Sequence, residues 1–129
     1  MEVQQQQNSR SRVVKVNSEQ SWNTFISQAK DQSCPVFIHF GASWCVPSLA
    51  MNAFFEELAV AYPDILFLSV DVDEAKEVAA KMGVKAMPTF VLMGDDGTVI
   101  DKAVGANPEE IRKRVDGFVQ SFRSSKIIE

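Results

Sequence analysis

The segment Trp44-Cys45-Val46-Pro47-Ser48 constrains the fold most, because it joins an apolar run at residues 36–40 to a helical pattern. A strand that ends where a helix begins places Cys45 at the helix N-terminus. The free backbone N–H groups and the helix dipole there favour negative charge, which for a cysteine means the thiolate. Ser48 follows three residues later, on the helix face that carries the sulfur. The pattern predicts a redox site with one thiol.

Composition and charge limit the classes of protein to consider. The chain has 129 residues, of which 46% are hydrophobic and 23% charged, as is typical of one soluble globular domain. A net charge of −4 argues against nucleic acid or an anionic membrane as the main partner. No apolar stretch approaches the roughly 20 residues that cross a bilayer. We expect a monomer.

The two ends of the chain differ in character from its middle. Residues 1–12 are polar, of low complexity and without the apolar segment of a secretory signal, so we predict a disordered tail. Residues 13–123 are expected to form the domain, and residues 124–129 to fray. Because the chain has two cysteines and no secretory signal, we expect a reducing compartment and predict a cytoplasmic protein.

Apolar periodicity and turn residues predict nine elements in the order β-α-β-α-β-α-β-β-α. The strands are predicted at residues 13–16, 36–41, 65–70, 89–93 and 99–104. Ser18, Asp73 and Asn107 are predicted to cap three helices, and the long helix is predicted over residues 45–61. Strands that alternate with helices and end in a hairpin predict an α/β fold, with one mixed five-stranded sheet flanked by four helices.

Two motifs in this topology resemble those of the thioredoxin family. Trp44-Cys45-x-Pro47 follows the second strand, and Met87-Pro88-Thr89 precedes the fourth. The resemblance covers residues 13–122, and the sequences around both motifs are similar to those of plant h-type thioredoxins. With serine at position 48, the chain resembles in particular the monothiol, C-x-x-S members. The resemblance implies the thioredoxin fold.

The resemblance also implies roles for the motif residues. Cys45 is expected to be the catalytic nucleophile, and Ser48 occupies the position of the resolving cysteine. Pro88 matches a family proline that is cis and faces the cysteine, where its missing N–H and the exposed neighbouring backbone suit an extended substrate. Trp44 is expected to shield one flank of the sulfur, and Pro47 completes the motif beside it.

Three further positions depart from the dithiol pattern. His39 stands where dithiol thioredoxins bury an aspartate, Ser69 where a lysine usually accompanies it, and Leu49 where a lysine is frequent. Because these positions differ together with Ser48, we favour a natural monothiol protein over a trapping mutant. For His39 two interpretations remain open: a neutral core histidine with one hydrogen-bonded nitrogen, or a general base that acts as a buried modulator of the site.

The second cysteine, Cys34, is not expected to resolve Cys45. The strand between them spans roughly 20 Å at ~3.3 Å per residue, well beyond the ~7 Å limit for a disulfide. Intermolecular disulfides through Cys45 or Cys34 are expected on oxidation. One histidine and two separated cysteines predict no metal site, and no cofactor is expected.

A single nucleophilic thiol leaves several functions open. Our main hypothesis is thiol–disulfide exchange on disulfide-bearing or thiol-bearing proteins, as protein disulfide isomerase activity with low disulfide reductase activity. One alternative is monothiol exchange that depends on glutathione. An alternative from another class is a binding module or redox sensor with the thioredoxin fold and no turnover.

Overall fold

The predicted elements occur in the predicted order. A computed structural model of the chain describes residues 11–128. Its strands are β1 (Val13–Val16), β2 (Val36–Gly41), β3 (Leu66–Asp71), β4 (Thr89–Met93) and β5 (Val99–Val104). Its helical segments are α1 (Glu19–Asp31), α2 (Val46–Ala50), α3 (Asn52–Ala61), α4 (Lys76–Lys81) and α5 (Pro108–Ile128). The α/β class is confirmed.

The strands form one mixed sheet in the order β1-β3-β2-β4-β5. β1, β3 and β2 are parallel, whereas β4 is antiparallel to β2 and β5 is antiparallel to β4. The predicted hairpin joins β4 to β5, and Gly97 in its turn has a φ of 85°, a conformation that suits glycine. The central position of β2 places its C-terminal end beside the start of β4.

The predicted long helix is interrupted at Met51. The Met51 N–H donates to the Ser48 carbonyl at 3.1 Å, a tightened turn, before the Phe55 N–H donates to the Met51 carbonyl at 2.9 Å. α2 and α3 are therefore two parts of one helical stretch, and counting them together gives the four predicted helices.

Helices cover both faces of the sheet, as predicted. On one face, α3 and α5 pack with the aromatic side chains of the strands. This core contains Phe37, Phe55, Leu58, Phe67, Phe90, Ile111, Val115 and Val119. On the other face, α1 and α4 pack against aliphatic residues and Phe40. That core contains Val16, Trp22, Ile38, Phe40, Leu68, Val70, Val78 and Val91.

Two of the three predicted caps are confirmed and one is wrong. Ser18 Oγ accepts the Ser21 N–H at 3.1 Å, and Asn107 Oδ1 accepts the Glu110 N–H at 3.2 Å. Asp73 does not cap α4, because that helix begins at Lys76, three residues further on. The third strand begins at Leu66 instead of residue 65, since the Ile65 N–H closes a turn onto the Tyr62 carbonyl.

The structure tests only part of what was predicted for the two ends of the chain. Residues 1–10 and 129 lie outside the described residues, and most of the predicted N-terminal tail falls there. At the other end, α5 continues to Ile128; fraying of its last turn stays a prediction. Among the helices described, none is long and apolar enough to span a membrane.

Candidate active site at Cys45

Cys45 lies at the junction that the sequence predicted. β2 ends at Gly41, and Cys45 is the N-cap residue of α2, with extended backbone angles of φ −100° and ψ 105°. Its carbonyl accepts the Leu49 N–H at 3.0 Å, which begins the helical hydrogen bonding. Pro47 lies in the first turn, where its missing N–H costs no helical hydrogen bond. The helix N-terminus therefore faces the thiol.

The second motif meets Cys45 from the neighbouring strand. Because β4 pairs with β2, the segment that precedes Thr89 lies at the end of the sheet where Cys45 emerges. The Cys45 thiol donates a weak hydrogen bond to the Met87 carbonyl, with 3.7 Å between the two atoms. The Met87–Pro88 peptide is cis, as the family resemblance implied, and Pro88 is buried. The fold thus brings Cys45 and the Pro88 segment together.

Exposed apolar side chains flank Cys45 along the chain. The exposed fraction is 62% for Trp44, 73% for Val46 and 47% for Leu49. The Trp44 indole N–H donates to the Asp73 carboxylate at 2.7 Å, so Asp73 anchors this ring instead of capping α4. Val46 was missed by the sequence analysis, although its place between Cys45 and Pro47 was the available signal. Large apolar side chains held at the surface are typical of protein contact sites.

Ser48 points away from solvent. Its side chain is 2% exposed, and no hydrogen-bond partner for Oγ occurs among residues 11–128. The hydroxyl therefore does not donate to the Cys45 sulfur. Instead it lines a cavity of about 260 Å³ together with His39 and Ser69, two of the positions that depart from the dithiol pattern.

His39 is a neutral core residue, as one of the two interpretations predicted. Its side chain is 2% exposed, and burial lowers the pKa of the imidazole to about 4. The expectation of one hydrogen-bonded nitrogen is wrong: neither Nδ1 nor Nε2 has a partner in the described part of the chain. The ring packs among Phe55 and Phe90, which offer no polar atoms.

Cys34 is separate from this site. It precedes β2, whereas Cys45 follows the C-terminal end of the same strand, and both thiols are free. The Cys34 sulfur contacts the carbonyls of Pro35 at 3.4 Å and Asp64 at 3.7 Å. Burial raises the pKa of the Cys34 thiol. The prediction that Cys34 lies at the opposite end of the strand is confirmed.

Metal-ligand geometry does not occur at this site. No group of three or more histidine, cysteine, aspartate or glutamate side chains suited to a metal ion is found within residues 11–128. His39 packs against the rings of Phe55 and Phe90, and Asp71 Oδ1 accepts the Asp73 N–H at 2.8 Å.

Comparison with known proteins agrees with this geometry. The family model named thioredoxin matches residues 13–117. The chain belongs to the thioredoxin family. It is 64% identical to the thioredoxin-like protein CXXS1 of Arabidopsis thaliana, over 87% of this chain and 94% of the relative. It is 56% identical to the rice protein of the same name, over 95% and 92%. A crystal structure of poplar thioredoxin h4 superposes with a TM-score of 0.79, at 33% identity over 84% and 96%.

Family membership decides the general activity. Thioredoxins exchange thiols and disulfides on protein substrates, so this chain is a thiol–disulfide oxidoreductase with the thioredoxin fold. The resemblance to monothiol C-x-x-S members is confirmed by the two relatives named for that motif. In this family member, the single thiol of the motif is Cys45 and the fourth motif position is Ser48.

Proposed function

We propose that this oxidoreductase is a protein disulfide isomerase with low net reductase activity, and that Cys45 is its catalytic nucleophile. The observation that carries the proposal is the buried hydroxyl of Ser48 at the resolving position, with Cys34 beyond the far end of β2. No second thiol of the same molecule is placed to displace a bound substrate.

The missing resolving thiol determines the reaction. The Cys45 thiolate attacks one sulfur of a substrate disulfide, forms a mixed disulfide and releases the other substrate sulfur as a thiolate. That thiolate, or another thiol of the substrate, then attacks the substrate sulfur of the mixed disulfide. A new substrate disulfide forms, and Cys45 leaves as the thiolate. One substrate disulfide is broken and one is formed, so the net reaction rearranges disulfides without reducing them.

The surface around Cys45 supports a partly unfolded protein as the substrate. Trp44, Val46 and Leu49 present apolar area, and the Pro88 segment lies beside the sulfur. Misfolded chains with wrong disulfides expose the apolar segments that such a surface binds. A reducing compartment such as the cytoplasm suits the reaction, because the nucleophile must stay a free thiol.

Refolding of scrambled ribonuclease tests the proposal. The parent chain should restore ribonuclease activity faster than buffer with the same total thiol, and Cys45→Ser should lose the acceleration. Cys34→Ser is the matched control, since it also removes one thiol but lies away from the apolar surface. Equal refolding by the parent and Cys45→Ser would refute the isomerase assignment.

A second assay separates turnover from binding. Insulin reduction by the parent should be slow, because each turnover needs an external thiol. The alternative of a binding module predicts that Cys45→Ala still binds unfolded substrate while the parent shows no exchange in either assay. Retained binding together with parental refolding activity would support the isomerase with an apolar docking surface.

A further inference from the structure

A polar cavity of about 260 Å³ lies beside the helical stretch that begins at Cys45. The strand register places Lys15 of β1 beside Ser69 of β3, and Ser69 beside His39 of β2. These three side chains therefore form one row across the same face of the sheet. Ser43, Ser48 and Leu49, which flank Cys45 along the chain, also line the cavity.

The inner end of this cavity, here called the His39 cavity, has unmet hydrogen-bonding groups. Both ring nitrogens of His39 and the hydroxyl of Ser48 lack partners among residues 11–128, although each side chain is 2% exposed. Buried polar groups are nearly always hydrogen-bonded, so a bound molecule with donors and acceptors would satisfy these atoms. A side-chain carbon at Gly41 would lie 3.2 Å from His39 Nε2 and from Ser48 Cβ. Glycine at this position keeps the inner end open.

Charges of both signs line the outer part of the His39 cavity. Lys15 contributes an exposed ammonium group that joins no ion pair within the described chain. Asp71 and Glu74 contribute carboxylates. One Asp71 oxygen accepts backbone N–H groups at 2.8 and 3.3 Å, which holds this carboxylate in place. A cation and two anions around a neutral polar interior match a small zwitterion.

The size of the cavity limits which ligand can bind there. Its volume of about 260 Å³ suits the amino-acid end of a small molecule. The carboxylate of such a molecule would meet Lys15, and its ammonium group would meet Asp71 and Glu74. The remainder would extend past Ser48 toward Cys45.

We propose that the His39 cavity binds the amino-acid end of a low-molecular-weight thiol, of the class of glutathione and free cysteine, as an external resolving thiol for Cys45. This inference rests on the proposed function, because it requires a mixed disulfide between Cys45 and a substrate. The bound thiol takes the role that a cysteine at position 48 would have, because Ser48 itself lines the cavity.

The proposed steps balance in atoms and electrons. The thiolate of the small thiol attacks Cys45 Sγ, the bond to the substrate sulfur breaks, and that sulfur leaves as a thiolate and takes up the proton. A second molecule of the small thiol then attacks the Cys45 adduct, which releases the disulfide dimer and restores the Cys45 thiolate. Two small thiols are oxidised as one substrate disulfide is reduced. The route frees substrates whose own thiols fail to displace Cys45.

The test follows release from a preformed mixed disulfide. Cys34→Ser protein is joined through Cys45 to a peptide with a single cysteine, so that the peptide carries no other thiol, and release is followed by quenched mass spectrometry. With glutathione and with cysteine, the release rate should saturate as the thiol concentration rises. With β-mercaptoethanol, which has no charged groups, the rate should rise linearly. Saturation by glutathione alone, or by cysteine alone, would identify which thiol binds and would still support the proposal.

Matched lysine variants test the site itself. Lys15→Gln should raise the glutathione concentration at half-maximal release rate roughly fivefold, the effect of losing one partly exposed ion pair. Lys113→Gln, an exposed lysine on α5, should leave it unchanged. In Cys45→Ser protein, where no exchange can occur, glutathione should shift the NMR signals of the His39 ring and the Gly41 amide.

The outcomes distinguish this inference from the function on which it rests. Linear release by all three thiols, equal in Lys15→Gln and Lys113→Gln, would overturn the cavity assignment and leave the isomerase intact. Failure of Cys45 to form any mixed disulfide would overturn both.

Discussion

The imidazole of His39 stacks on the ring of Phe90, with 4.7 Å between ring centroids and 14° between ring planes. The two residues are direct neighbours across β2 and β4. The ring of Phe55 also packs against this imidazole, with 5.3 Å between ring centroids. An aromatic environment of this kind cannot solvate an imidazolium, which is why burial lowers the pKa of His39 to about 4. The residue is therefore neutral at pH 7.

The lowered pKa of His39 predicts a pH-dependent stability. Between pH 4 and 6.5 the unfolded chain binds more protons than the folded chain, so the free energy of unfolding rises with pH. The contribution is complete above pH 6.5 and is lost as pH falls toward 4, by up to about 3 kcal/mol at 1.36 kcal/mol per pKa unit. Urea unfolding at several pH values measures it. His39→Leu, which removes the only histidine, should flatten the slope in this window, and an unchanged slope would contradict the assignment.

The hydrogen bond between Trp44 and Asp73 predicts a second effect. Asp73→Ala removes the acceptor 2.7 Å from the indole N–H and frees the exposed ring, so exchange at Cys45 should slow by a few-fold. One of the two indole N–H signals in the NMR spectrum should also shift upfield. Asp95→Ala, an exposed aspartate in the β4–β5 turn, serves as the control. Unchanged indole signals in Asp73→Ala would show that the bond is absent in solution.

Introducing a resolving thiol tests the role of position 48. Ser48→Cys should form an intramolecular disulfide with Cys45 on oxidation, and should accelerate insulin reduction about tenfold or more, because an intramolecular thiol has a high effective concentration. The coupled assay with thioredoxin reductase measures the rate. Ser121→Cys adds a thiol on α5 and should give no gain. A disulfide without faster reduction would instead assign the limit to His39, Ser69 and Leu49.

The environment of Cys34 predicts slow alkylation. Its thiol is half-buried, contacts two carbonyl oxygens and has a pKa raised by that burial, so little thiolate forms at neutral pH. Iodoacetamide labelling followed by peptide mass spectrometry should modify Cys45 first at pH 7. Labelling of Cys34 should increase as the pH is raised toward and above 9. Faster labelling of Cys34 than Cys45 at pH 7 would contradict the structure.

Much of the site was predictable because its signals are local. The change from an apolar run to helical periodicity places Cys45 at a helix N-terminus, and hydrogen bonding around Cys45 and Leu49 confirms that position. Ser18 and Asn107 likewise cap the helices that follow them within three residues. Asp73 failed as a cap because its carboxylate binds a side chain 29 residues away, which no local pattern reports.

The sequence by itself determined the fold class, the strand-to-helix junction at Cys45 and the absence of a second thiol at position 48. The tertiary structure decided what surrounds those residues. Strand register aligns Lys15, Ser69 and His39, although these residues lie 24 to 54 positions apart in the sequence.

 Pairing of β1 and β2 with β3 between them creates that row, and the α2–α3 stretch closes over it to leave a polar cavity. The stacking of His39 on Phe90 depends in the same way on the β2–β4 register. The physical reason is the range of the interactions: helix starts and turns depend on residues a few positions apart, whereas burial, strand register and pKa depend on which distant segments pack together.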